Sequence, residues 1–135
     1  MKGLRIGFPA VVVAAVLLML SAELVPEVAA MRFIAGGNKG WTKNVNYKSW
    51  AKGKHFYLGD WIFFVYDRNK MSVLEVSRGD YERCIARRPL HNWSNGAGRD
   101  VVPLNVTKTY YFISGNGFCY KGMKLAIHVE KRHQH

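Results

Sequence analysis

The sequence is short of acid and of cysteine. Nine Asp and Glu stand against twenty Lys and Arg, a formal charge of +11. Two cysteines, Cys84 and Cys119, exclude a multi-thiolate zinc finger. Five histidines, none beside a Ser or Cys in a nucleophile motif, give hydrolytic chemistry no foothold. The absence of internal repeats and low-complexity tracts leaves one compact domain. A length of 135 residues has no room for separate catalytic and binding modules. What is present is apolar and aromatic. Hydrophobic residues make up 49% of the chain, enough for a core, and four Trp with seven Tyr suit a sheet-rich protein.

The first thirty residues carry the marks of an address. Lys2 and Arg5 supply a positive start, and Gly7 to Ala22 then runs without a charge. Val28 and Ala30 sit at the −3 and −1 positions of a cleavage after Ala30, which completes a signal-peptide pattern. A transmembrane anchor needs about 20 apolar residues, and Glu23 and Glu27 cut the run short. Removing residues 1–30 takes away Lys2, Arg5, Glu23 and Glu27 together, so the +11 stays with a domain over 31–130 and a charged tail over 131–135. For an intracellular chain that charge would point to nucleic acid. For a secreted one, the expected partners are an acidic polysaccharide, a glycan or a glycoprotein, or an anionic membrane surface. The alternative is a soluble basic surface without a dedicated partner.

After Met31, apolar runs alternate with turn residues every eight to twelve positions, the rhythm of an all-β sandwich. Strands are expected at Arg32–Ala35, Lys54–Leu58, Trp61–Tyr66, Ser72–Ser77, Val101–Val106, Tyr110–Ser114 and Lys124–Glu130. Trp61–Tyr66 is nearly continuous apolar and reads as a buried central strand. Pro103 pushes its strand to an edge or bulge. In the last run Leu125, Ile127 and Val129 alternate inward against Lys124, His128 and Glu130. Asn46–Lys52 and Gly79–Ala86 read as short helical turns, and Arg87 to Asp100 as an exposed loop.

Cys84 and Cys119 lie far apart in a chain bound for an oxidising compartment, which suits a disulfide; a free thiol or an intermolecular bridge is the alternative. Asn92-Trp93-Ser94 and Asn105-Val106-Thr107 are N-glycosylation acceptors, the second the better placed because a bulky Trp stands inside the first. Glycoside hydrolysis would need a carboxylate pair from Asp60, Asp67, Glu75, Asp80, Glu82, Asp100 and Glu130. Nothing in their spacing favours one, and they read as solvated surface. No catalytic residue, cofactor or metal ligand set is therefore assigned; His133 and His135 read as frayed tail.

From Arg32 to Val129 the chain resembles the phytocyanins, plant relatives of the cupredoxins. The resemblance rests on Gly36-Gly37-Asn38-Lys39-Gly40-Trp41, on Asn44-Val45-Asn46-Tyr47 with Trp50, and on Phe56 to Asp60. It continues through Ser72-Val73-Leu74-Glu75-Val76, Tyr81 with Cys84, Tyr111-Phe112-Ile113, and Cys119 with Gly122-Met123-Lys124-Leu125. It implies a cupredoxin-like Greek-key β-sandwich of seven or eight strands with a Cys84–Cys119 disulfide. Copper-binding phytocyanins hold the metal with two His, one Cys and an axial Met or Gln, the set that suits a blue-copper site. Here Met71, Ser114 and Phe118 occupy the first His, Cys and second His positions, and Met123 alone keeps a ligand atom at the axial one. The loop from Ser114 to Cys119 is also one residue shorter than the usual copper loop.

That departure resembles the early nodulin-like branch, as does the Phe112-Ile113-Ser114-Gly115-Asn116 run. The resemblance implies an extracellular module at the wall or plasma membrane that binds carbohydrate or glycoprotein. Arg83, Arg87, Arg88, Arg99, Lys121 and Lys124 would attract an acidic partner, with Tyr120, Trp93 and Phe118 available for stacking where exposed. Phe118 reads first as a plug of the former metal position. The alternatives are copper-dependent electron transfer through an unusual site built on Met71 and Met123, and a protein ligand in cell-surface signalling. The run from Glu130 to His135 offers no hydrophobic segment for a GPI anchor, so soluble secretion or peripheral attachment by charge is expected.

Overall fold

The computed structural model describes residues 29–133, so the expected signal peptide and its charged start lie outside the described residues apart from Ala29 and Ala30. Eight strands form two mixed sheets. One is three-stranded and ordered β1 (Arg32–Ile34), β3 (Trp61–Val65), β6 (Arg99–Pro103). The other is ordered β2 (Phe56–Tyr57), β8 (Lys124–Glu130), β7 (Thr109–Ile113), β4 (Leu74–Val76), β5 (His91–Asn92). β1 runs parallel to β3 and β2 parallel to β8; the other neighbours pair antiparallel.

The core lies between the sheets. Ile62, Phe64 and Val102 from one meet Tyr110, Phe112, Leu125, Ile127 and Val129 from the other, around Trp41 and Tyr47. The Trp41 ring stands edge-on to Phe64 at 5.1 Å, and its Nε1 donates to the Ser72 carbonyl at 2.9 Å. Tyr47 Oη donates to the Gly40 carbonyl at 2.7 Å and accepts from Thr42 N at 2.8 Å, which holds the loop after β1 to the core. That loop requires glycine: Gly36 has φ +78°, and a Cβ there would stand 2.2 Å from the Gly40 oxygen.

Two short helices cover the outer face of the five-stranded sheet. α1 (Tyr47–Ala51) is capped by Asn46, whose side chain accepts from Ser49 N, and packs on β8. α2 (Arg78–Arg83) is capped by Ser77 in the same way and packs on β7. The Cys84–Cys119 disulfide ties the end of α2 to the 3-10 turn Phe118–Lys121 and joins a second cluster of Leu74, Val76 and Ile113.

The last strand and both helical turns stand where the sequence puts them, and Pro103 ends an edge strand. Three expectations are corrected. Trp61–Tyr66 is the central strand of its sheet but is not buried on both faces: Trp61 and Val65 are exposed, because no described helix covers that side. The strand that is buried on both faces is Leu74–Val76, since α2 covers Leu74 and Val76 while Glu75 turns inward. The expected exposed loop over 87–100 contains β5, the start of β6 and the buried Asp100. Asp60, Glu75, Asp80 and Asp100 are not solvated but buried, each beside fixed donors.

Candidate functional site

Ser114 follows β7 and Met123 precedes β8, so the hairpin between them carries three of the four positions that the resemblance aligns with copper ligands, Ser114, Phe118 and Met123. Ser114 and Met123 are fully buried. Ser114 N donates to the Met123 carbonyl at 3.1 Å, and Met123 N to the Phe118 carbonyl at 3.1 Å, closing a tight loop. Ser114 Oγ accepts from Ser72 N at 3.0 Å, and Ser72 Oγ accepts from Gly115 N at 2.9 Å. This reciprocal pair stitches the segment before β4 to the hairpin. Met71 and Phe118 are half-buried against the core.

The donor set does not fit type 1 copper. A phenyl ring has no lone pair to donate, the Ser114 hydroxyl is engaged by a backbone amide, and Cys119 is in the disulfide. Thioethers alone lack the thiolate and imidazole that a Cu(II) trigonal plane requires. Among the described residues no group of three or more His, Cys, Asp and Glu comes together to hold a metal.

The outward face of β8 presents a different arrangement. Its one small side chain there, Ala126, lies between Lys124 and His128, and α1 and α2 rise on either side. The result is a groove of about 530 Å³ lined by Val45, Asn46, Tyr47, Lys48, Tyr81, Gly122, Lys124 and Ala126. Lys124 is fixed there: its Nζ donates to the Tyr81 carbonyl at 2.7 Å and lies 4.2 Å from the centre of the Tyr81 ring. Asn44 N donates to the Lys121 carbonyl at 3.0 Å and so holds one wall to the 3-10 turn. Burial raises the pKa of both Tyr47 and Tyr81, so each phenol keeps its proton at neutral pH. No carboxylate lines the groove.

Charge is partitioned in the same sense over the molecule. Glu75 is paired with Lys108 at 2.6 Å and accepts from Trp93 Nε1 at 3.2 Å. Asp80 takes a two-pronged bond from Arg88. Asp60 accepts from Met31 N and Tyr57 N, and Asp100 from Tyr66 Oη and Asn95 N. Burial first, then the hydrogen bond to Asp100, pushes the Tyr66 phenol up to about 12. With these four acids enclosed, Asp67, Glu82 and Glu130 are the exposed carboxylates among the described residues.

Of the expected partner residues, Lys124 lines the groove, while Arg83, Arg87, Arg99 and Lys121 are exposed elsewhere. Arg88 is tied to Asp80. Tyr120 is 76% exposed, but Trp93 and Phe118 are half-buried, so Tyr120 is the stacking candidate that stands clear of the core. Asn92 and Asn105 are both exposed. Tyr81, Lys48 and Asn46 were missed as groove residues. The available signal was Ala126, a gap in an outward row of long side chains.

A plastocyanin-like domain model matches residues 41–123. The chain is 54% identical over 124 residues to Early nodulin-like protein 17 of Arabidopsis thaliana, covering 92% of this chain and 72% of that protein. It is 50% identical over 117 residues to Early nodulin-like protein 19 of the same plant, covering 87% and 83%. Among solved structures, cucumber basic protein, a blue copper protein, superposes with a TM-score of 0.63 at 34% identity, covering 73% of this chain and 98% of that one.

Proposed function

The chain belongs to the plastocyanin-like family, among the early nodulin-like phytocyanins, and from that premise we propose that it is an extracellular, metal-free binding module of the plant cell surface. Its ligand on this reading is an acidic polysaccharide, held in the groove between α1 and α2. The observation that carries the proposal is a groove with two lysines and two protonated tyrosines in its walls and no carboxylate. A uronate carboxylate would take charge-assisted hydrogen bonds from Lys124 Nζ and Lys48 Nζ, stronger than neutral ones. The Asn46 amide spends its oxygen on the helix cap and leaves its NH₂ to donate to a sugar hydroxyl. The exposed cations elsewhere would draw a polyanion to the surface without selecting it.

Binding, and not catalysis or electron transfer, is the reading these residues support. The exposed acceptor asparagines Asn92 and Asn105 suit passage through the secretory route, and no described helix is long and apolar enough to cross a membrane.

Titration of an oligogalacturonate into the chain from Met31 onward tests the proposal. Lys48→Ala with Lys124→Ala should weaken binding by about tenfold or more, the loss expected when two charge-assisted contacts go. Part of the parent's affinity should survive raised salt, since contacts inside a groove are screened less than surface charge. Unchanged affinity in the double variant, or binding that vanishes entirely with salt, would reject the groove as the site.

A further inference from the structure

The outward face of the three-stranded sheet is apolar, although nothing packs on it among the described residues. Alternation places Phe33, Ile62, Phe64 and Val102 inward. The opposite parity sends out Ile34 from β1, Trp61, Phe63 and Val65 from β3, and Val101 and Pro103 from β6. The register makes these one patch: Ile34 lies beside Phe63, Phe63 beside Val101, and Trp61 beside Pro103. Ile34 is 50% exposed, Val65 43%, Val101 40% and Trp61 39%. A sheet face in contact with water is ordinarily polar, and a contiguous exposed apolar patch marks an interaction surface. Both helices lie on the other sheet.

The charges around the patch identify the occupant. Arg32 pairs with Trp61 and Arg99 with Val65, so a guanidinium flanks the patch at opposite corners. The acids at hand turn away: Asp100 lies inward opposite Phe64, and Asp60 is buried in the turn before β3. A second copy of this chain would bring guanidinium against an identical face that offers no carboxylate, between two molecules of charge +11. An anionic bilayer meets both features. Trp61 belongs at the level of the headgroups, the aliphatic side chains reach the acyl boundary, and Arg32 and Arg99 can take lipid phosphates as two-pronged partners.

We propose that the face formed by Ile34, Trp61, Phe63, Val65, Val101 and Pro103, flanked by Arg32 and Arg99, docks this protein peripherally on an anionic phospholipid surface. This surface is separate from the groove and does not depend on its ligand.

The test is co-sedimentation of the chain from Met31 onward, which contains every described strand and helix and both cysteines, with vesicles of phosphatidylcholine alone or of equimolar phosphatidylcholine and phosphatidylserine. The parent should bind the anionic vesicles at least tenfold more tightly, with blue-shifted emission from Trp61 that Trp61→Phe removes. Ile34→Ser with Val101→Ser should cut the partition coefficient by about tenfold, and Arg32→Ser with Arg99→Ser should cut it several-fold. All four side chains are on the surface, and near-ultraviolet circular dichroism confirms that the fold is kept. A charge-matched control, Arg83→Ser with Arg87→Ser, should lose much less than the Arg32 and Arg99 pair. Equal loss in the two arginine pairs, or full binding by the Ile34 and Val101 variant, would overturn the proposal. So would a parent that sediments as a dimer which the Ile34 and Val101 variant dissociates, because the face would then belong to a second copy.

Discussion

A carboxylate in this protein does one of two jobs, and its neighbours decide which. Asp80 is enclosed at the start of α2, where the Arg88 guanidinium holds its carboxyl below the ordinary carboxylate range against the opposing effect of burial. The folded state therefore binds that proton less readily than the unfolded chain does. The resulting stabilisation is fully present above the unfolded pKa, near 3.9, and is lost as pH falls through the folded value. Urea unfolding at neutral pH and at about pH 3 should show a larger loss of stability in the parent than in Arg88→Ala, which lacks the partner. Little of this was legible beforehand. Glu75 meets Lys108 across thirty-three positions, and nothing in either residue's local sequence distinguishes an enclosed acid from a solvated one. The donor chemistry of Met71, Ser114, Phe118 and Met123 was easier to read, because whether a side chain can donate to copper is settled by its chemistry before it is folded.

Elements were legible in proportion to how much of their signal is local. β8 alternates over seven residues and is bounded as expected, whereas the caps Asn46 and Ser77 emerge only in the structure, Ser77 having read as the end of a strand. Ser77→Ala should remove the hydrogen bond that Asp80 N donates to the cap and cost about 1 kcal/mol, read as a shift in the urea midpoint with an unchanged slope. β5, two residues long, has no signal of its own: it exists because Leu74 and Glu75 of β4 offer it an edge to pair with. The run at Trp61–Tyr66 misled for a related reason. An unbroken apolar strand indicates burial on both faces only where a second layer arrives, and on the outer side of β3 none does among the described residues.

On the scale of the whole molecule, the sandwich is closed by one covalent tie between segments thirty-five residues apart. Cys84→Ser with Cys119→Ser should lower stability by about 4 kcal/mol on the chain-entropy account, measured by urea unfolding. The core between the sheets should survive, since neither cysteine belongs to its main cluster. The groove and the apolar face lie on different sheets, so a variant in one should leave the other's binding intact. The sequence by itself determined the class of fold, the strands with strong alternation and the basic balance. Each of these depends on side-chain chemistry or on short-range periodicity, which are written locally. Only the tertiary structure decided which acids are enclosed, where α1 and α2 leave a groove over Ala126, and which sheet face stays bare. Those follow from what packs against what, and contacts between residues distant in the chain exist only once the two sheets have met.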